Sequence, residues 1–316
     1  MTDWAAISNA AFTVALFCYL AAMVLSFAFA AFRRAPMHAA GVVVGTVGLA
    51  ANGTAIVTRG LAAGRTPWGN MFEYSTVLAF LIVGATLVLV EWRWRQPLVS
   101  GFVYAFAVLT MAMASLYFYV DPGDLLPALN SYWRQIHVTS MITASSLLGI
   151  GCVMTILFLF KDRAERRAVS AMERQDPPPI MGGAIDADAP PDFAAGADEP
   201  VPETRQSTKR GILPSASALD RLAYRFISFG FPIWTFGVIC GAIWAQKTWG
   251  RYWGWDPKET WSFITWVIFA GYLHARATSG WKGRRAGVVA LVGFVSLFVT
   301  YYAVNLWIAG LHSYAT

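Results

Sequence analysis

Eight long apolar runs constrain this chain more than any other feature. They span approximately 6–32, 38–58, 73–92, 98–119, 136–160, 223–245, 258–276 and 286–309. A helix needs about 20 apolar residues to cross the hydrocarbon layer of a bilayer, and backbone polar groups in lipid must be satisfied within the helix itself. The expected fold class is therefore an all-α integral membrane protein with about eight transmembrane helices. Only 13% of the residues are charged, against about a quarter in soluble domains. The net charge of +6 does not indicate a nucleic-acid partner, because the charges cluster at the ends of the apolar runs. The first run is too long for the apolar core of a signal peptide and lacks a basic leader, so it is expected to be a retained helix.

The distribution of Lys and Arg sets the expected orientation. One set of alternate connections holds Arg59, Arg65, Arg134, Lys247, Arg251 and Lys258, six of the 24 Lys and Arg. The other 18 lie in the opposite set, which is expected to be cytoplasmic. Both termini are then extracytoplasmic. So is the segment Trp249-Gly-Arg-Tyr-Trp-Gly-Trp-Asp-Pro-Lys-Glu-Thr-Trp261, a rigid aromatic surface suited to a large, flat, apolar partner with charged edges.

Residues 161–217 differ from the rest. A basic run from Lys161 to Arg174 leads into Pro177-Pro178-Pro179 and an acidic, Ala/Pro-rich tract containing Asp186, Asp188, Asp192, Asp198 and Glu199. Too few large apolar residues are present to offset the entropy of ordering. The segment reads as a disordered cytoplasmic linker between a five-helix half, 1–160, and a three-helix half, 218–316. Its basic part is suited to anionic membrane lipid.

The three cysteines, Cys18, Cys152 and Cys240, lie inside apolar runs, and the chain has neither CxxC nor CxxCH. They read as small core residues. Four histidines occur: His38, His137, His274 and His312. His137 opens the fifth span and His312 follows the eighth, so the topology puts both on the side of the tryptophan segment. Neutral imidazole is a common axial ligand of heme iron. Two such ligands flanking a flat macrocycle leave its faces and edges for tryptophan, and its propionates would favour Lys247, Arg251, Lys258 or Arg134. Each histidine taken singly reads more readily as an interfacial polar residue than as a ligand, and it is their joint placement that favours ligation. His274 lies 17 residues beyond Pro257, roughly 26 Å along a helix, near the inner end of the membrane. An ionisable side chain there is a functional candidate, with snorkelling beside Arg276 as the alternative. His38, among Arg33, Arg34 and Pro36, reads as an inner-end polar residue.

Asp256-Pro257-Lys258-Glu259 has the pattern of N-cap, N1, N2 and N3, and Asn70 with Glu73 has N-cap and N3 spacing. Both pairs read as helix starts, and Asp256 with Glu259 is not read as a general acid/base pair. No nucleophile with an adjacent base and no phosphate loop are visible.

The run Trp249-Gly-x-x-Trp253-x-Trp255-Asp-Pro-Lys-Glu-Thr-Trp261 resembles the WWD signature of the heme-handling proteins of cytochrome c maturation. Gly310-Leu-His-Ser-Tyr314, Tyr272-Leu-His-Ala-Arg276, Ser131-Tyr132-Trp133 with His137, and Asn70 with Glu73 resemble one branch. That branch is the CcsA/ResC family of the system II cytochrome c synthase, called CcsB in some bacteria. The resemblance covers nearly the whole chain outside 161–217. It implies that heme b is transported and presented for attachment to the CxxCH thiols of apocytochrome c, a heme lyase or holocytochrome c synthase-type activity shared with a partner subunit. His137 and His312 would be the external axial ligands, with Trp249, Trp253, Trp255, Asp256 and Trp261 in the binding loop. His274 would receive heme within the membrane. A CcsB/ResB-type membrane subunit would supply a second membrane histidine, and a thiol-reducing protein would fit the chemistry. Alternatives are a system I heme protein of CcmC or CcmF type, a small-solute transporter, and an assembly subunit that binds no heme. A transporter would be expected to carry more charge at mid-membrane.

Overall fold

The computed structural model describes residues 2–94, 96–124, 131–173, 213–308 and 310. It is an all-helical bundle: α1 Trp4–Phe32, α2 Ala35–Ala63, α3 Met71–Ala85, α4 Pro97–Tyr117, α5 Tyr132–Glu173, α6 Ala216–Trp249, α7 Pro257–Thr278 and α8 Arg284–Phe298. A π-helical turn, Thr86–Arg93, extends α3. A second, Val299–Ala303, joins α8 to the short α9, Val304–Trp307. Each expected span is thus a helix. Among the described residues, seven helices are long and apolar enough to cross a membrane. The remaining long helix, α7, falls short in apolarity because Lys258, Glu259, His274 and Arg276 lie within it.

Local sequence explains the helix ends. Proline occupies the first turn of α2, α4 and α7, where its missing N–H is no loss. Arg33 and Gly64 take left-handed conformations that close α1 and α2. Glycines set the closest helix approaches. A Cβ on Gly48 would stand 2.9 Å from Tyr19, which is fully buried between α1 and α2.

The main apolar core joins α1–α5 to the start of α6, and a second core joins α5–α8. The pairing of α5 with α6 is the most extensive in the bundle and ties the two halves together. α5 does not stop at 160: it runs on to Glu173 through exposed Arg163, Arg166 and Arg167. The first part of the segment expected as linker is therefore helical, and 174–212 lies outside the described residues. The backbone N–H of Ala216 donates to Glu165 Oε1 at 3.3 Å, so the chain re-enters the bundle beside the helix it left.

One face of the bundle gathers the N-terminal ends of α3, α5 and α7 with the C-terminal ends of α6 and α8. The beginning of α1 meets the end of α4 through a hydrogen bond from Asn9 Nδ2 to Tyr119 Oη, 2.7 Å. At the other chain end, Gly310 lies against Asp256 and Pro257.

Candidate functional site

A cleft opens at that face. Its walls come from five elements: Trp68–Met71 and Tyr74 before and on α3, Arg134, His137 and Met141 on α5, Gly241, Trp244 and Trp249 on α6, Tyr252 and Trp253 in the following loop, and Lys258, Glu259 and Ser262 on α7. Thr300 and Tyr301, in the second π-helical turn, close the membrane end.

His137 is held from two sides. Its Nδ1 lies 2.7 Å from the carbonyl oxygen of Gly237. A carbonyl only accepts, so Nδ1 carries the proton and Nε2 is the basic nitrogen, the arrangement that orients histidine for metal ligation. The ring stacks on Trp244 with centroids 6.1 Å apart and planes at 24°. Gly241 makes room for it: a Cβ there would lie 2.7 Å from the ring. Gly237, Gly241 and Trp244 follow at spacings of four and three, which puts them on one face of α6. Sequence reasoning missed this triplet, although the spacing is a readable signal.

The tryptophan segment leaves α6 through Gly250, left-handed at φ 72°. It enters α7 through Asp256, which caps the helix, while Glu259 completes the capping box. Glu259 Oε2 accepts from the backbone N–H of Gly254 at 2.7 Å and of Asp256 at 3.1 Å. Of the tryptophans expected to bind ligand, Trp249 and Trp253 line the cleft. Trp255, at φ 57°, is 67% exposed and packs edge-on to Trp253 outside the cleft. Trp261 and Asp256 do not line it either.

Among the candidate cations, Arg134 and Lys258 reach the cleft. Lys247 instead lies over Trp133, 5.8 Å from the ring centroid, and the Arg251 guanidinium covers Gly254. Trp68 Nε1 is a buried donor with no partner among the described residues, a polar group left for a ligand in an otherwise apolar wall. The cleft therefore offers an imidazole stacked on an indole, further tryptophans, the Arg134 guanidinium and the Lys258 amine, a set that fits a flat apolar macrocycle with anionic edges.

His312 lies outside the described residues. His274 is exposed on α7, far from the cleft, one turn before Thr278, whose hydroxyl donates to its carbonyl at 2.7 Å. His38 stands 3.5 Å from Glu91 and packs on Phe29.

Residues 7–312 match the family described as cytochrome C assembly protein. The chain is 35% identical to the cytochrome c biogenesis protein CcsA of Gloeobacter violaceus, covering 98% of this chain and 95% of that one. It is 36% identical to the CcsA of a Synechococcus strain, covering 99% and 96%. It is also 36% identical to that of Porphyra purpurea, covering 81% of each. The solved structure of cytochrome c heme lyase CcmF has the same fold, with a TM-score of 0.65 at 15% identity; the match takes in 96% of this chain and about half, 47%, of that one. The chain thus belongs to the cytochrome c assembly protein family, among its CcsA-type members, and serves cytochrome c biogenesis.

Proposed function

We propose that the protein carries heme b across the membrane and holds it in the cleft, with His137 and His312 as the two axial ligands. The carrying observation is the 2.7 Å contact of His137 Nδ1 with the Gly237 carbonyl oxygen in a ring stacked on Trp244; a neutral imidazole bonded in this way would ligate through Nε2. Gly310, two residues before His312, already lies against the start of α7 at the cleft's rim. Arg134 and Lys258 are placed to receive the propionates, and Trp249 and Trp253 to pack on the macrocycle. Trp255 supports Trp253 from outside the cleft.

The cleft face is extracytoplasmic in this reading, with both chain ends on the same side, as the bias of Lys and Arg favours. Heme enters from the cytoplasmic side at His274, whose exposed position on α7 suits a ligand shared with a CcsB/ResB-type membrane subunit. Apocytochrome c then brings its CxxCH motif to the open cleft. Each cysteine S–H adds across a vinyl double bond to give a thioether. This chain's part is to hold and orient the macrocycle while that happens.

The test is the absorption spectrum of the protein purified with its partner subunit. A low-spin heme spectrum is expected, lost in His137→Ala or His312→Ala and restored by added imidazole. An unchanged spectrum in either variant would overturn the assignment of that ligand. In His274→Ala, less heme should reach the outer site, and normal loading would exclude the proposed role in heme uptake.

A further inference from the structure

Behind the α3 wall of the cleft lies a group of charges that the heme ligands do not explain. Glu73, whose side chain is 0% exposed, accepts from two guanidiniums. Arg59 Nε reaches its Oε1 at 3.2 Å, and Arg65 Nη1 reaches its Oε2 at 2.8 Å. The same Oε2 accepts the backbone N–H of Gly69 at 2.7 Å, and the N–H of Glu73 donates to Asn70 Oδ1 at 2.9 Å. The carboxylate therefore grips Trp68-Gly69-Asn70, the turn that lines the cleft. A capping box would send Glu73 to the N–H of the cap residue itself. Here it reaches one residue further back.

The arginines extend the grip. Arg59 donates to the carbonyl of Val120, and Arg65 Nε to that of Gly123 at 2.9 Å. Arg59 also sits over the rings of Phe72 and Tyr119. Two guanidiniums against one carboxylate leave a formal charge of +1, buried one peptide from the cleft. In surroundings of low dielectric such a charge acts over a longer range than it would in water.

We propose that Arg59, Arg65 and Glu73 are positioning residues that hold the Trp68–Met71 wall and set, through their net positive charge, the reduction potential of the heme held in the cleft on its other side. The proposal rests on the heme-binding reading above. A fixed positive charge favours the reduced, less positive heme. The ionic unit thus biases the bound heme toward the ferrous state.

Redox titration of the heme bound to the full complex tests this. Arg65→Gln lowers the unit's charge to zero and is expected to lower the potential. Glu73→Gln raises the charge to +2 and is expected to raise it. The double variant, back at +1, should return toward the unaltered value, and Arg65→Lys should stay there. Wall distortion alone would move the single variants without regard to the sign of the charge. Shifts in the same direction, or no shift, would overturn the proposal. If Glu73→Gln fails to accumulate, the comparison of Arg65→Gln with Arg65→Lys decides alone, since that side chain is the most open of the three. Absence of heme from the unaltered protein would instead remove the functional reading on which this one rests.

Discussion

The ring of His137 lies on Trp244, 24° from parallel with centroids 6.1 Å apart, and its Nδ1 is tied to the Gly237 carbonyl one helical turn away on the other side of Gly241. Three positions of α6 therefore decide the orientation of one imidazole on α5. The most extensive helix pairing in the bundle is also the one that aims the ligand.

Gly241→Ala should expose this dependence. The new Cβ would lie 2.7 Å from His137 Cε1 and Nδ1, so the ring must turn and give up the Gly237 bond. Loss of such an orienting contact typically weakens metal binding about 10–100-fold. Heme titration of the variant should show at least about a tenfold loss, relieved by added imidazole. Gly271→Ala, with nothing within 4 Å of its Cβ, should bind as the unaltered protein does. Equal affinity in both variants would contradict the packing argument.

How far the sequence reads toward this site depends on the range of each interaction. The helices at 4–32 and 284–307 follow from apolar length, and the start of α7 follows from Asp256 and Glu259 three residues apart, because both signals are local. The extension of α5 to Glu173 was missed because apolarity ends near Phe160, while the following Lys, Arg, Glu and Ala still favour helix in water. The contacts of His137 with Gly241 and of Glu73 with Arg59 join separate helices, and no local pattern carries them. Trp255 fits the aromatic motif as well as Trp253 does. Its left-handed backbone turns it out of the cleft, and only the folded loop shows that.

Glu259 should matter for the loop more than for the ligand. Its carboxylate accepts the N–H groups of Gly254 and Asp256, and hydrogen bonds to a charged acceptor contribute about 1.5–3 kcal/mol each. In Glu259→Ala the segment 250–256 should loosen, and trypsin should cleave faster after Arg251. Glu259→Gln, which keeps an acceptor oxygen, should lie between. Unchanged cleavage in Glu259→Ala would show that the tryptophans hold the loop without it.

At the far end of α7, Arg276 meets Asp220 of α6 through two bonds, 2.7 and 3.0 Å, with its guanidinium over Tyr224 and Tyr272. Both side chains are largely buried. Removing one partner of such a pair costs about 3–5 kcal/mol, whereas replacing both with apolar residues is often neutral. Asp220→Asn should therefore lower the melting temperature, and Asp220→Leu with Arg276→Met should recover much of the loss. A double variant no more stable than Asp220→Asn would mean that the ion pair itself stabilises the helix pairing.

The tract between α5 and α6 should prove dispensable in sequence. Ala216 bonds to Glu165, so α6 begins beside a point about 12 Å of helix back from Glu173. Deleting 175–210 leaves 174 and 211–215 to make the connection, a reach of roughly 20 Å when extended. That is enough to rejoin the helices without moving either. The deletion should accumulate in the membrane and support cytochrome c assembly at close to the normal level, measured as covalently attached heme in the client cytochromes. A deletion that accumulates normally but attaches no heme would show that the acidic, proline-rich tract does more than connect two halves of a bundle.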